Sequence, residues 1–255
     1  MSILHYLLPQ DLAVPTIHTT TQLYQDAVGR DKTWKFIQNL SRITFYFLTT
    51  ISGNPTSGER ARSLWKNLSN ARKGFRLGKS ITHADKLQIA INSKNKSQTY
   101  KLLVVMRRSC LFFHEIFDNF YWFSKSDLIS SKLSNYYKLW SYTLKYWGEF
   151  FGMLLNYTEM LRMQQQTIEA GTDAMRSERS KLLRSVVRAC CDAGAAFINA
   201  KYSQRLVGWS GNDGVLGLLG VVSASTSLLD KWIKIGPQTQ SWGVSGRKGK
   251  RKTKR

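Results

Sequence analysis

The sequence predicts an all-α protein, and three observations support that fold class. The four prolines of the 255-residue chain stand at positions 9, 15, 55 and 237, so residues 56–236 contain none of the strongest helix breaker. Polar and glycine-containing stretches, such as residues 52–58, divide the chain into segments. Apolar residues recur at helical spacing within those segments, as at Phe36, Leu40, Ile43 and Phe47.

The predicted helices follow one another along most of the chain. After the loop at 52–58, the break at 92–99 is the next polar interruption. The helical segments that we predict are residues 26–51, 59–79, a short piece around 87–91, 100–125, 135–165 and 178–207, followed by a Gly-rich hydrophobic helix within 208–235.

We expect a single helical domain over residues 26–235. Its parts are an amphipathic N-terminal region (26–91), a pair of aromatic helices (100–165) and the C-terminal helices (178–235), with a polar linker at 164–177. An arm at 1–25 precedes the domain. The Gly/Lys/Arg-rich residues 236–255 have the composition of a disordered basic tail.

Charge is distributed unevenly along the chain, whose formal charge is +22. Residues 1–111 carry 17 Lys and Arg against 5 acids, whereas residues 112–246 carry 14 against 11. The last segment, 247–255, adds 7 basic residues and no acid. Both ends are therefore attracted to polyanions, such as an anionic membrane surface or a nucleic acid.

Residues 60–79 are predicted to form an amphipathic helix that contains no acidic residue. A helical projection places an apolar sector beside a basic one, which is the composition of a helix lying in a membrane interface. The apolar residues that we expect to insert are Leu64, Trp65, Leu68, Ala71 and Phe75. The basic residues that we expect to bind lipid headgroups are Arg60, Arg62, Lys66, Arg72, Lys73, Arg76 and Lys79.

Two other interpretations of this helix stay open at the level of sequence. Its apolar face can pack on a helical bundle with the charges merely solvated, and its charges can neutralise nucleic-acid phosphates. The second interpretation gives Trp65 and Leu68 no role unless bases stack on them, and no nucleic-acid reader motif accompanies it. We therefore expect an anionic phospholipid membrane as the partner, and no nucleic acid.

Small residues recur at every third position from Gly208 onwards. Glycine costs a helix about 1 kcal/mol relative to alanine, so helix propensity does not explain them. Close approach to a neighbouring helix does, and we predict a packing surface. Its members are Gly208, Gly211, Gly214, Gly217 and Gly220. The alternative interpretation of these glycines is that residues 210–214 form a turn before a core helix.

The 16 charge-free residues of 214–229 make a borderline membrane span.

The chain offers no recognisable catalytic constellation. It has no phosphate-cradling loop, nucleophile elbow or paired catalytic carboxylates, so we expect no enzyme and no cofactor. His114, Glu115 and Asp118 lie within about one helical turn. His114 and Asp118 are spaced i, i+4, as two metal ligands on a helix can be, but the sequence offers no third protein ligand. We therefore predict an interior polar cluster and no metal site.

Four blocks of residues, in order, resemble the peroxin-eleven family of peroxisomal membrane proliferation factors. The resemblance covers about residues 26–235, with Gly74 standing where a larger apolar residue is usual in the family. The blocks are Gly29-Arg30-Asp31-Lys32 with Phe36-Ile37-Gln38; Ala71-Arg72-Lys73-Gly74-Phe75-Arg76-Leu77-Gly78-Lys79; Asp118-Asn119-Phe120-Tyr121-Trp122; and Asp192, Asn199, Gly217-Leu218-Leu219-Gly220 and Trp232.

The resemblance implies a peroxisomal membrane protein with both termini toward the cytosol, on an ordinary peroxisome or a specialised one such as a glycosome. It implies self-association and cooperation with a fission adaptor and a dynamin-related GTPase. Its amphipathic helix, carried onto residues 60–79, would elongate the membrane by insertion and so promote proliferation and fission. The alternative function is a pore-forming channel for small metabolites, because charges within the aromatic helices, such as Lys138, Glu149 and Glu159, can face a water-filled path.

Overall fold

The computed structural model describes residues 17–92, 97–170 and 172–245. Every regular element in these ranges is helical, which confirms the predicted all-α fold. The helices are α1 Ile17–Gln25, α2 Ala27–Tyr46, α3 Pro55–Gly74, α4 Lys79–Asn92, α5 Gln98–Lys125, α6 Ser134–Ala170, α7 Thr172–Asn199, α8 Tyr202–Val207 and α9 Asp213–Ser245. A π-helical turn, Phe47–Ile51, extends α2, and a 3-10 turn, Ser131–Leu133, precedes α6.

Side-chain caps mark the starts of several helices, including α9, where Asn212 accepts from the Val215 N–H. Asp26 accepts hydrogen bonds from the backbone N–H groups of Val28 and Gly29 at the start of α2. Asn54 caps α3 by accepting from Ser57 N–H, and the following residue, Pro55, lacks the N–H that a first helical turn leaves unpaired. Ser97 caps α5 in the same way.

The amphipathic segment predicted as one helix over residues 60–79 is two helices. α3 ends at Gly74, residues 75–78 form a turn, and α4 begins at Lys79. Gly78 has φ +82°, in the left-handed region that glycine enters without steric cost. The two glycines therefore interrupt a helix that periodicity alone predicts to be continuous.

Helix also extends into two segments that composition predicted to be irregular. α6 runs to Ala170 and α7 starts at Thr172, so nearly all of the predicted linker is helical. Its Gln, Glu, Met and Ala residues are good helix formers and no proline interrupts them. α9 continues to Ser245, into the predicted tail. Residues 246–255 of the tail and 1–16 of the arm lie outside the described residues, whereas 17–25 of the arm form α1.

The longer helices form a ring around a polar interior. α9 packs on α2 and α7, α7 packs on α6, and α6 packs on α5. α2 also packs on α3, while α4 lies on α5. The contact between α3 and α5 is the sparsest part of the ring. We call it the α3–α5 seam.

The distribution of polar and apolar side chains in this bundle differs from that of a typical water-soluble protein. Within the described residues, the largest fully buried side chains are Glu115 and four serines, and alanines make up about half of the buried apolar set. Large apolar side chains lie outside instead, with Phe75 73% and Ile81 72% exposed. Soluble proteins normally bury such side chains and expose their charges. Exposed apolar surface of this kind marks a site of contact with a membrane or with another protein.

Candidate functional site: an apolar corner and a polar interior

Exposed apolar side chains meet where α3 turns into α4. Phe75, Leu77 and Ile81 are all exposed there, and we call these three residues the apolar corner. Leu64 and Ala71 are exposed on the face of α3 that leads to the corner. The corner contains no acidic residue. Its large side chains and short turn form a protruding apolar surface.

Trp65 and Leu68 lie apart from this surface, although the sequence grouped them with the inserting residues. Both are half-buried. The Trp65 ring lies 6.1 Å from the ring of Phe45, and the Arg42 guanidinium stacks 4.5 Å above it. Trp65 therefore packs α3 onto α2, and only Leu64, Ala71 and Phe75 of the predicted inserting residues are exposed.

The predicted headgroup-binding residues divide into two groups. Arg60 and Lys66 are exposed, and Arg62 forms an exposed ion pair with Glu59. Arg72 and Lys73 are instead buried, each with 8% exposure, so their guanidinium and ammonium groups lie away from any headgroup. Arg72 donates to Asp31 at 3.0 Å and to Gln38 at 2.6 Å, both on α2. This orientation contradicts a headgroup contact because an internal partner neutralises the charge.

Ion pairs connect α5 to α3 across the α3–α5 seam, and to the turn and the start of α4 that follow α3. Asp118 on α5 binds Lys73 at 3.0 Å and Arg76 at 3.3 Å, and Glu115 binds Lys79 at 2.7 Å. A Cβ atom at Gly74 would lie 3.5 Å from the Trp122 ring of α5, which is an ordinary van der Waals distance. Electrostatic attraction therefore stabilises the contact between α3 and α5, where there is little apolar packing.

Burial shifts the pKa values of two basic groups, Lys73 at the α3–α5 seam and His83 on α4. Burial lowers the pKa of Lys73 to about 8, although attraction to Asp118 opposes the shift. Burial, reinforced by repulsion from Lys79, lowers the pKa of His83 to about 4, so this imidazole is neutral at physiological pH.

Two adjoining cavities occupy the polar interior, with volumes of about 150 and about 120 Å³. Lys35, from α2, reaches across to Asp192 on α7 at 2.7 Å and to Ser223 on α9 at 2.6 Å. His114 Nδ1 lies 2.9 Å from the carbonyl oxygen of Ser141. His114, Glu115 and Asp118 are all buried and all have protein partners, as an interior polar cluster requires.

The predicted helix-packing glycines also divide into two groups. Gly214, Gly217 and Gly220 lie on α9 against α2: a Cβ atom at Gly217 would lie 2.6 Å from Ile43 Cγ1, and one at Gly220 would collide with Asn39. Gly208 and Gly211 precede α9 in a turn, with φ +68° and +72°. The first group permits close helix packing and the second permits the turn.

α9 has the length and composition of a membrane-crossing helix. Its segment Asp213–Ile235 is the only one within the described residues that meets both criteria, and about a third of it is buried in the bundle. Length and composition alone are weak evidence, because core helices also satisfy them.

Comparison with known protein families gives a match to Peroxisomal biogenesis factor 11 (PEX11) over residues 17–232. The chain belongs to the PEX11 family. No individual curated protein and no solved structure matched it. PEX11 membership makes the chain a peroxisome biogenesis and proliferation factor of the peroxisomal membrane. The PEX11 family is not known for catalysis, which agrees with the prediction that the chain is not an enzyme.

Sequence reasoning missed two parts of the candidate site in this PEX11 protein. Leu77 and Ile81 belong to the apolar corner, but a continuous helix over 60–79 did not bring them beside Phe75. The interior lysines Lys32 and Lys145 were not singled out either. The available signal was the presence of charged residues inside apolar, aromatic helices, which are costly unless they face a polar interior.

Proposed function

We propose that this PEX11 protein elongates the peroxisomal membrane by inserting the apolar corner and the adjoining face of α3 into the cytosolic leaflet. The inserted side chains are those of Leu64, Ala71, Phe75, Leu77 and Ile81. Insertion of this wedge into one leaflet spreads the headgroups and favours positive curvature. A membrane drawn out in this way is a substrate for fission, and hence for proliferation of the organelle.

The observation that carries this proposal is the exposure of Phe75 and Ile81, at 73% and 72%, in a bundle whose interior is charged. A large apolar side chain gains about 1.5–3 kcal/mol when it is fully removed from water. Partial insertion of four such side chains, Leu64 included, supports membrane binding of several kcal/mol. No protein element covers these side chains among the described residues.

Electrostatic attraction has a smaller part than the sequence indicated. Arg60 and Lys66 are exposed and remain proposed headgroup contacts, with Arg62 beside them. Each basic residue near an anionic leaflet contributes about 1 kcal/mol. Because Arg72 and Lys73 point into the bundle, apolar insertion contributes most of the binding free energy and charge sets the preference for anionic lipid.

The assembly around this membrane element is also proposed. Both termini face the cytosol, copies of the chain self-associate, and a fission adaptor with its dynamin-related GTPase acts on the elongated membrane. These partners rest on the family, in which peroxisomal fission is a shared role. The organelle is a peroxisome or a specialised form such as a glycosome.

The first prediction concerns membrane tubulation by the purified full-length protein. Added to vesicles of phosphatidylcholine and phosphatidylserine, the wild type is expected to draw out tubules visible by negative-stain electron microscopy. The double substitution Phe75→Glu with Ile81→Glu is expected to weaken vesicle binding at least tenfold and to abolish tubules, because two apolar insertions become charged.

The matched control is Phe75→Leu with Ile81→Leu, which keeps the surface apolar and should tubulate as the wild type does. Both variants alter exposed positions, so the bundle should keep its fold, which circular dichroism checks. Tubulation by the glutamate variant would contradict insertion of the corner.

A pore for small metabolites is the second candidate function, and the polar interior favours it. Charged residues from α2, α3, α5, α6 and α7 line the two cavities, and the ring exposes apolar side chains outward. The same vesicles distinguish the functions: leakage of a trapped small dye without tubulation supports the pore.

A further inference from the structure

Each of the two interior cavities is large enough to hold more than a single water molecule. Their volumes are about 150 and about 120 Å³, several times the roughly 10–15 Å³ of such space that one water needs. They adjoin, because Lys35, Arg72, Lys145 and Asp192 line both. A small polar molecule therefore fits where the bundle already presents charged groups.

Cations outnumber carboxylates around the two cavities. Eight Lys and Arg residues line them, against five Asp and Glu residues. Every one of these carboxylates has a basic neighbour at 4.0 Å or less. The pairs are Arg72 with Asp31, Lys35 with Asp192, Lys73 and Arg76 with Asp118, Lys79 with Glu115, and Arg107 with Glu149.

Two lysines are left over by this pairing. Lys32 and Lys145 are half-buried, line the larger cavity, and have no ion pair or side-chain hydrogen bond within the described part of the chain. An uncompensated charge withdrawn from water is costly unless a counter-ion accompanies it. Each of the other lining cations has a carboxylate partner, although Lys73 and Arg76 share Asp118, so Lys32 and Lys145 are the two lining cations without a carboxylate partner among the described residues.

We infer that the interior of the bundle binds a small phosphate-type anion, held by Lys32 and Lys145 in the larger cavity. Burial lowers the pKa of Lys32 to about 7, and a bound anion stabilises the charged form of this side chain. Lysine is a common ligand for phosphate. A cation is disfavoured because the excess charge around the cavity repels it. The site is separate from the apolar corner and does not depend on membrane insertion.

The test measures the melting temperature of the full-length protein in neutral detergent, with inorganic phosphate exchanged for chloride at constant ionic strength. A ligand that binds only the folded state raises this temperature. The wild type is expected to be stabilised by phosphate. Lys32→Met and Lys145→Met are each expected to weaken the apparent phosphate affinity roughly tenfold or more, because each removes a charge-assisted contact.

Lys66→Met is the matched control, since Lys66 is an exposed lysine of α3 outside both cavities. It should respond to phosphate as the wild type does. Glu149→Gln provides a variant with the opposite expectation: it removes a lining negative charge and should strengthen the response severalfold. This variant decides the question if a methionine variant fails to fold.

A lipid with a phosphate monoester headgroup offers the same chemistry from another source. Stabilisation by phosphatidic acid in phosphate-free nanodiscs, lost in Lys145→Met, would support the site with a lipid headgroup as ligand, whereas stabilisation by inorganic phosphate supports a soluble ligand. Stabilisation by neither would overturn the inference. A response that Lys32→Met, Lys145→Met and Glu149→Gln all leave unchanged would overturn it equally.

Discussion

Asp118 is the residue on which the α3–α5 seam depends. It is 8% exposed and accepts hydrogen bonds or ion pairs from Lys73 and Arg76 on the opposite side of the seam. A buried carboxylate is tolerated only when its partners compensate for the lost hydration. Removal of the Asp118 carboxylate would in turn leave Lys73 and Arg76 without their negatively charged partner.

Asp118→Asn is therefore expected to lower the free energy of unfolding by about 3 kcal/mol. Denaturant-induced unfolding of the detergent-solubilised protein, followed by circular dichroism, measures the change. Glu59→Gln is the control, since it breaks only the exposed pair with Arg62 and should alter the stability by less than about 1 kcal/mol. An Asp118→Asn protein as stable as the wild type would show that the seam does not rely on this carboxylate.

At the scale of single residues, a helical projection placed Leu64, Trp65, Leu68 and Phe75 on one face, but their exposure differs because it depends on the neighbouring helices. Leu64 and Phe75 are exposed as an inserting face requires. Arg72 and Lys73 lie at the border between the apolar and basic sectors, and their orientation is fixed by Asp31 and Asp118, which are distant in sequence. A helical projection contains no information about such partners.

The packing of α9 on α2 is an element-scale feature that depends on the absence of side chains. Gly214, Gly217 and Gly220 face α2, and a Cβ atom at Gly217 would lie 3.1 Å from the Asn39 carbonyl oxygen. The backbones approach so closely that even a methyl group has no free volume. Backbone atoms cannot move aside as a flexible side chain can.

Gly217→Val is expected to destabilise the bundle by about 1–3 kcal/mol through overpacking. Thermal unfolding in detergent reports the change. Leu218→Val, at the adjacent exposed position of the same helix, changes an outward-facing side chain and is the control, with an expected effect below about 0.5 kcal/mol. Equal effects of the two substitutions would indicate that α9 is not held against α2 by its glycines.

Most helices could be predicted from the sequence, whereas their ends could not. Periodicity predicted most of the helical segments from α2 to α9, but it predicted α7 and α8 as one helix over 178–207, whereas the structure breaks it before Tyr202. The glycine spacing predicted a packing surface, and Gly214, Gly217 and Gly220 lie close to α2. The break at residues 75–78 and the continuity of helix through the polar linker were missed. Both depend on small differences in helix propensity that contacts with neighbouring helices can reverse.

At the scale of the whole molecule, the bundle combines a charged interior with many exposed apolar side chains. Sequence analysis anticipated a membrane-associated helical protein but not this radial arrangement, because each helix carries both charged and apolar residues and only the ring decides which face inward. This PEX11 protein therefore has exposed apolar side chains on its outer surface and ion pairs in its interior.

The depth of the apolar corner in a bilayer is the most direct test of membrane insertion. The native cysteines, Cys110, Cys190 and Cys191, are first replaced by alanine. A single cysteine introduced at position 75, 81 or 66 of the full-length protein is then labelled with an environment-sensitive fluorophore. Quenchers attached to lipid acyl chains are expected to quench the label at positions 75 and 81 but not at 66. Labels at 75 and 81 quenched only by aqueous iodide would contradict insertion of the corner.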